Sequence, residues 1–84
     1  MSECYFYAVL AGEGVVLTAN YSNAVYYRDH AFRQSRTIRK FSSLEDAMDA
    51  ALDHLWDVAP LDRHIPEHLN PHQVYYAHTF PYNT

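Results

Sequence analysis

Cysteine is almost absent from this sequence: Cys4 is the only one among 84 residues. A single thiol cannot form an intrachain disulfide, and such a chain is typical of a reducing cytoplasm. A chain of this length buries only about 60–65% of the surface that its unfolded form exposes. We therefore expect one small domain with a narrow stability margin, for which a homodimer contact is one available source of further stability.

Glycine and long apolar runs are also scarce. The two glycines, Gly12 and Gly14, are too few for a glycine-rich phosphate-binding loop. No apolar run approaches the ~20 residues that a membrane-spanning helix needs. The first residues also lack the basic and apolar regions of a secretory signal. These features predict a cytoplasmic protein, in a bacterium, a virus-infected host cell or a eukaryote.

Aromatic residues, in contrast, are abundant, with eight tyrosines, four phenylalanines and Trp56. Because each aromatic side chain buries a large area, few of them suffice for a small core. Tyrosine is also favoured at interfaces, since it combines a broad apolar face with a hydroxyl group. Eight tyrosines exceed what one small core needs, which indicates that some belong to a binding surface.

Residues 5–41 predict a hairpin, a helix and a third strand. Residues 5–10 and 15–21 are rich in aromatic and β-branched residues and flank a turn at 12–14, as the arms of an antiparallel hairpin do. Residues 23–32 follow as a helix whose apolar stripe is irregular. Asn20 or Ser22 is expected to cap the N-terminus of this helix. Residues 37–41 then form a short strand. Its alternation places Thr37, Arg39 and Phe41 on one face and Ile38 and Lys40 on the other.

The second helix has the clearest pattern. Ser42 and Glu45 fit a capping box, in which each side chain satisfies one backbone amide at the start of the helix. The apolar residues that follow recur at helical spacing for three turns: Leu44, Ala47, Met48, Ala51, Leu52 and Leu55. Pro60 is expected to end the helix. The order ββαβα predicts an α+β fold with a three-stranded antiparallel sheet and both helices on one face.

The remaining residues, 60–84, form an extension rich in proline, histidine and tyrosine. We expect residues 1–59 to form the ββαβα domain and the extension to pack on it or on a partner. Residues 74–80 have an extended pattern and either add a fourth strand to the sheet or pair with another molecule. In the second case Tyr75, Tyr76 and Phe80 are the contact residues of this arm.

Two short segments carry a family resemblance. They are Phe6-Tyr7-Ala8-Val9 followed by Gly12, and Ile38-Arg39-Lys40-Phe41-Ser42-Ser43-Leu44-Glu45-Asp46-Ala47. Residues 6–52 thereby resemble the N-terminal hybrid-binding domain of type 1 ribonucleases H and of caulimovirus viroplasmin. The resemblance implies a small domain without an active site that grips RNA/DNA hybrid or double-stranded RNA through an aromatic residue near the first helix and several lysines. Here Tyr21 and Tyr26 are the nearest aromatic substitutes, and Lys40 is the only matching lysine.

Charge is unevenly distributed along the chain. Five basic residues against Asp29 give +4 over residues 28–40, whereas five carboxylates give −5 over residues 45–57. A basic strip of Arg36, Arg39 and Lys40 suits phosphate groups. An acidic helix face of Glu45, Asp46, Asp49 and Asp53 suits a basic protein surface that normally holds nucleic acid. Either charged stretch, taken alone, is also typical of a solvated surface that only keeps the protein soluble.

Catalytic and metal sites are not indicated. His64, His68 and His72 recur every four residues, but Pro66 and Pro71 interrupt any helix that would stack them for zinc. Cys4 has no recognisable base beside it. We therefore expect no enzyme activity, no cofactor and no metal.

Two binding functions follow from these observations. The first is a small regulator or inhibitor that binds a protein of a nucleic-acid-handling complex, as phage-encoded anti-defence and anti-CRISPR proteins do. The alternative is direct binding of RNA/DNA hybrid or double-stranded RNA. For either function, the candidate binding residues are Tyr21, Tyr26, Arg36, Arg39 and Lys40.

Overall fold

The predicted hairpin is the centre of a four-stranded antiparallel sheet in the computed structural model, which describes residues 4–59 and 64–79. The elements are β1 (Phe6–Ala11), β2 (Gly14–Thr18), α1 (Tyr21–His30), β3 (Thr37–Phe41), α2 (Leu44–Val58), β4 (Val74–Tyr76) and a 3-10 helix (Ala77–Thr79). The strands lie in the order β3-β1-β2-β4. The predicted α+β class and the ββαβα order are confirmed, and the C-terminal segment adds the fourth strand.

The two helices lie on opposite faces of the sheet, so the prediction that they share one face is wrong. Side chains of β1 alternate between the two sides: Ala8 and Leu10 pack with α2, whereas Val9 and Ala11 pack with α1. Both sets are buried, as are all five residues of β2. A strand that is apolar on both faces needs cover on both faces, and one helix supplies each.

Both helices begin with a side-chain cap. Asn20 caps α1, where its Oδ1 accepts hydrogen bonds from the amides of Ser22 (2.8 Å) and Asn23 (3.3 Å). In α2 the cap is Ser43 and not Ser42, because the Ser43 hydroxyl accepts from the amide of Asp46 at 3.1 Å. Ser43 has the extended backbone that precedes a helix, with φ −136° and ψ 150°. The predicted cap is therefore displaced by one residue.

The core on the α2 side includes the segment that leads to β4. Ala47, Ala51 and Leu55 are buried on the sheet side of α2, as the apolar stripe predicted. Ile65 and Leu69 join the same cluster. Pro60, which was expected to end α2, lies outside the described residues.

The C-terminal arm docks on its own sheet. β4 pairs antiparallel with β2, with Val15 opposite Tyr75. A β-carbon at Gly14 would collide with the carbonyl oxygen of Tyr75, so a glycine is needed for this close approach. The extended conformation ends at Tyr76 and continues as the 3-10 helix. Within the described residues, no helix is both long and apolar enough to cross a bilayer.

Candidate functional site

The outward side of α2 is an acidic face, formed by Glu45, Asp46, Asp49 and Asp53. All four side chains are exposed. Asp49, Asp53 and Trp56 follow one another at intervals of four and three residues, which places them along one side of the helix. Trp56 is 60% exposed although its neighbours Ala51 and Leu55 are buried. A large aromatic side chain therefore lies at the end of a row of carboxylates.

The carboxylates of the acidic face have no basic partner within the described part of the chain. The salt bridge found there joins Arg28 to Asp29, at 3.0 Å, on α1. This contact lowers the pKa of Asp29 and raises that of Arg28, in both cases first through their hydrogen bond. Glu45 and Asp46 lie in the first turn of α2, where the helix dipole favours negative charge. The charge of Asp49 and Asp53, however, is left facing solvent.

A second surface, the tyrosine cleft, is lined by Tyr5, Tyr7 and Tyr21, and Lys40 lies beside it over the Tyr5 ring. Tyr7 and Tyr21 meet edge to face, with ring centroids 5.4 Å apart. The Lys40 ammonium lies 4.3 Å from the centre of the Tyr5 ring. Pairing of β1 with β3 places Lys40 directly opposite Tyr7. The tertiary structure thus gathers three tyrosine rings and one cation where β1 begins and α1 starts.

The three tyrosines line an open cleft of about 430 Å³. Its lining combines the tyrosine rings with polar atoms at the start of α1. The lining residues are Cys4, Tyr5, Phe6, Tyr7, Ala19, Asn20, Tyr21 and Ser22. None of these described residues carries a carboxylate, and Cys4 is an exposed free thiol.

The other predicted binding residues lie elsewhere on the surface. Arg39 packs over the Phe41 ring at 5.0 Å, on the face of β3 opposite to Lys40. Arg36 donates a hydrogen bond to the carbonyl oxygen of Arg28. Tyr26 is 60% exposed and packs on His30, with ring centroids 4.5 Å apart. Tyr21 and Lys40 therefore both neighbour Tyr7, whereas the basic strip is divided between two faces.

The predicted contact residues of the arm make contacts within the chain. The Tyr76 hydroxyl donates to the carbonyl oxygen of Ala31 at 2.9 Å, and the Tyr75 hydroxyl accepts from the amide of Asn70 at 2.8 Å. Both side chains are partly buried. The Tyr76 bond holds β4 against the segment after α1, and the Tyr75 bond stabilises the loop that precedes β4. Phe80 lies outside the described residues.

Glu13 fastens the hairpin turn to the loop after α1. Its carboxylate accepts hydrogen bonds from the backbone amides of Arg33 (2.9 Å) and Gln34 (2.8 Å). These bonds, the one to Arg33 first, hold the pKa of Glu13 below its ordinary value. The amide of Gly12 also donates to the carbonyl oxygen of Gln34, at 2.8 Å. Glu13 therefore stabilises the loop that leads into β3, the strand that contains Lys40.

Histidines make contacts inside the fold. Nε2 of His54 lies 2.6 Å from the carbonyl oxygen of Ala11, and Nδ1 of His72 lies 3.1 Å from the Thr18 hydroxyl. His72 also has φ 65° and donates its amide to the carbonyl oxygen of Leu17. In residues 4–59 and 64–79, no three His, Cys, Asp or Glu side chains come together as a metal site would require.

Sequence reasoning overlooked Trp56 and the pairing of Lys40 with Tyr5. Trp56 could have been found, because it lies outside the apolar stripe and seven residues after Asp49. The Lys40–Tyr5 contact had no such signal, since it depends on the register between β1 and β3. No family model, curated protein or solved structure matches this chain, and the resemblance to the hybrid-binding domain stays a prediction.

Proposed function

We propose that this protein is a non-catalytic binding module that docks the outward side of α2 on a basic surface of a nucleic-acid-handling protein, and thereby regulates or inhibits it. The observation that carries this proposal is the exposure of Trp56 beside unpaired carboxylates. Tryptophan is among the residues that most often dominate the energy of a protein interface. Carboxylates around it steer a basic partner and set the orientation of binding.

The chemical class of the protein partner follows from the charge of the acidic face. The acidic face presents four carboxylates on one helix side without a described basic neighbour, and it therefore complements a surface rich in lysine and arginine. Surfaces of that kind are the ones that bind nucleic acid, because they neutralise phosphates. An acidic helix docked there competes with the nucleic acid for the same basic side chains. This competition is the proposed inhibitory mechanism.

Duplex binding by the basic strip has less support from the geometry. A duplex is gripped through several phosphate contacts made from one surface. Arg39 and Lys40 point to opposite faces of β3, and the Arg36 guanidinium bonds to the carbonyl oxygen of Arg28. The strip therefore offers a duplex few cations on one side. Protein binding through α2 is the function that the arrangement favours.

The test is affinity capture from a nuclease-treated host lysate with wild-type protein and W56A. Y26A is the matched control, because Tyr26 is also 60% exposed but lies on α1. We expect proteins that are retained by wild type and Y26A, are lost with W56A and elute as salt is raised. Each retained protein is then purified, loaded with a labelled oligonucleotide and challenged with wild type or W56A. Capture that W56A leaves unchanged, or failure of wild type to release the oligonucleotide, would overturn the proposal.

A further inference from the structure

The tyrosine cleft is separate from the surface that the proposed function uses. The acidic face lies on α2, on one side of the sheet, whereas Tyr7 and Lys40 lie on the side that α1 covers. At physiological ionic strength charges separated by more than about 8 Å are largely screened in water. Salt therefore weakens the repulsion between the carboxylates of α2 and an anion in the cleft.

The chemistry of the cleft is that of flat rings next to a cation. Tyr21 is 55% exposed, and its ring is positioned by the edge-to-face contact with Tyr7. The Lys40 ammonium lies over the Tyr5 ring at 4.3 Å in a cation–π contact, and within residues 4–59 and 64–79 no carboxylate forms a salt bridge with it. Its positive charge is therefore not neutralised by that contact.

The size of the cleft suits a small molecule. Pockets for small ligands measure about 300–1,000 Å³ and combine aromatic walls with a few polar groups. The cleft measures about 430 Å³, and Asn20 and Ser22 supply polar groups at its edge. A purely apolar side chain of a protein partner would leave the Lys40 charge without a counterpart.

We propose that the tyrosine cleft binds a single unpaired nucleotide, with the base stacked on Tyr21 and the phosphate beside Lys40. Every base has a π face that stacks on an aromatic side chain, and such stacking is tolerant of base identity. The phosphate supplies the negative charge that Lys40 attracts. The nucleotide is either free or part of a single strand, and both sources present the same base and phosphate. A duplex does not fit this site, because its bases are stacked on one another and paired.

The experiment titrates the whole chain, labelled with 15N, with adenosine 5′-monophosphate, adenosine, inorganic phosphate and an adenine-only DNA hexamer. We expect the monophosphate and the hexamer to shift the amide signals of residues 5–7 and 19–22. Stronger binding of the hexamer would assign the site to single strands, and equal binding would assign it to free nucleotides. Adenosine binding as tightly as the monophosphate, a response to phosphate alone, or no shift at millimolar ligand would overturn the proposal.

Two pairs of variants locate the site. Y21A should weaken monophosphate binding about tenfold, which lies within the range measured for loss of one stacked base. K40Q should also weaken it, because the variant lacks the positive charge that attracts the phosphate. Y26A and R39Q are the controls: Tyr26 is a similarly exposed tyrosine on α1, and Arg39 makes a comparable contact with Phe41 on the opposite face. Equal weakening in the controls would contradict the assignment. Y21L keeps apolar packing on Tyr7 without an aromatic ring, and it should bind as weakly as Y21A if stacking is responsible.

Alkylation of Cys4 gives an independent measurement. Cys4 is the only cysteine and lines the cleft, so the bound monophosphate should slow its reaction with iodoacetamide. In K40Q, the same concentration of ligand should protect the thiol less. Protection by a peptide that ends in an aromatic residue, without protection by the monophosphate, would assign the cleft to a protein partner and overturn the proposal.

Discussion

Gly14 lies so close to the carbonyl oxygen of Tyr75 that no β-carbon fits between them. This contact lies where β4 pairs with β2 at the edge of the sheet, and it sets the separation of the two strands there. The glycine is therefore required by packing against a neighbouring backbone, and its φ is not positive.

Replacement of Gly14 by alanine should lower the free energy of unfolding by about 1–3 kcal/mol, within the range of point mutations that strain a buried backbone. The collision involves backbone atoms, which cannot rotate away as a side chain can. Urea denaturation followed by circular dichroism measures the effect. G12A is the control, since a β-carbon there would lie 3.3 Å from the side-chain β-carbon of Gln34 and should cost less. Equal stability of G14A and G12A would contradict the packing argument.

Ser43, and not Ser42, should determine the stability of the start of α2. S43A removes the acceptor for the amide of Asp46, and loss of such a cap costs about 1 kcal/mol. S42A is the matched control, one residue earlier, and should change the free energy of unfolding much less. The urea midpoints of S43A and S42A, each compared with that of wild type, show which serine caps the helix. A larger loss in S42A would restore the capping box that the sequence predicted.

The stability contributed by Glu13 should depend on pH. Its folded-state pKa lies below the ordinary value of 4.5, because the amides of Arg33 and Gln34 bond to the carboxylate. The contribution is therefore present above about pH 4.5 and is lost as the pH falls through the lowered folded-state pKa. E13Q should melt at a lower temperature than wild type at pH 7, and the difference should shrink as the pH approaches 3. E67Q is the control, because Glu67 is an exposed glutamate before β4. The difference in melting temperature between E67Q and wild type should stay the same from pH 7 to pH 3.

Charge on the acidic face should affect the rate of partner association more than the rate of dissociation. D49N/D53N removes two exposed carboxylates beside Trp56, and we expect association to slow several-fold at low salt. The difference from wild type should diminish as the salt concentration is raised, because exposed charges are screened. Surface plasmon resonance with the captured partner measures both rates. An unchanged association rate at low salt would show that the acidic face does not steer binding.

Local patterns predicted most elements of the fold. The strand at 37–41 has the expected bounds, and the apolar stripe of α2 faces the sheet. The alternation of Arg39 and Lys40 was also correct, because side chains of a strand necessarily point to opposite faces. The cap was displaced by one residue, since Ser42 and Ser43 are both good caps and only the backbone conformation distinguishes them.

The sequence by itself determined the number and order of the elements up to residue 59, the inward side of α2 and the acidic composition of its outward side. These properties depend on residues close together in the chain. Only the tertiary structure decided that α1 and α2 cover opposite faces, that residues 74–76 join β2, and that Lys40 meets Tyr5. Each of these depends on strand pairing between segments far apart in sequence, where hydrogen-bond register and burial on both faces of the sheet select the partner.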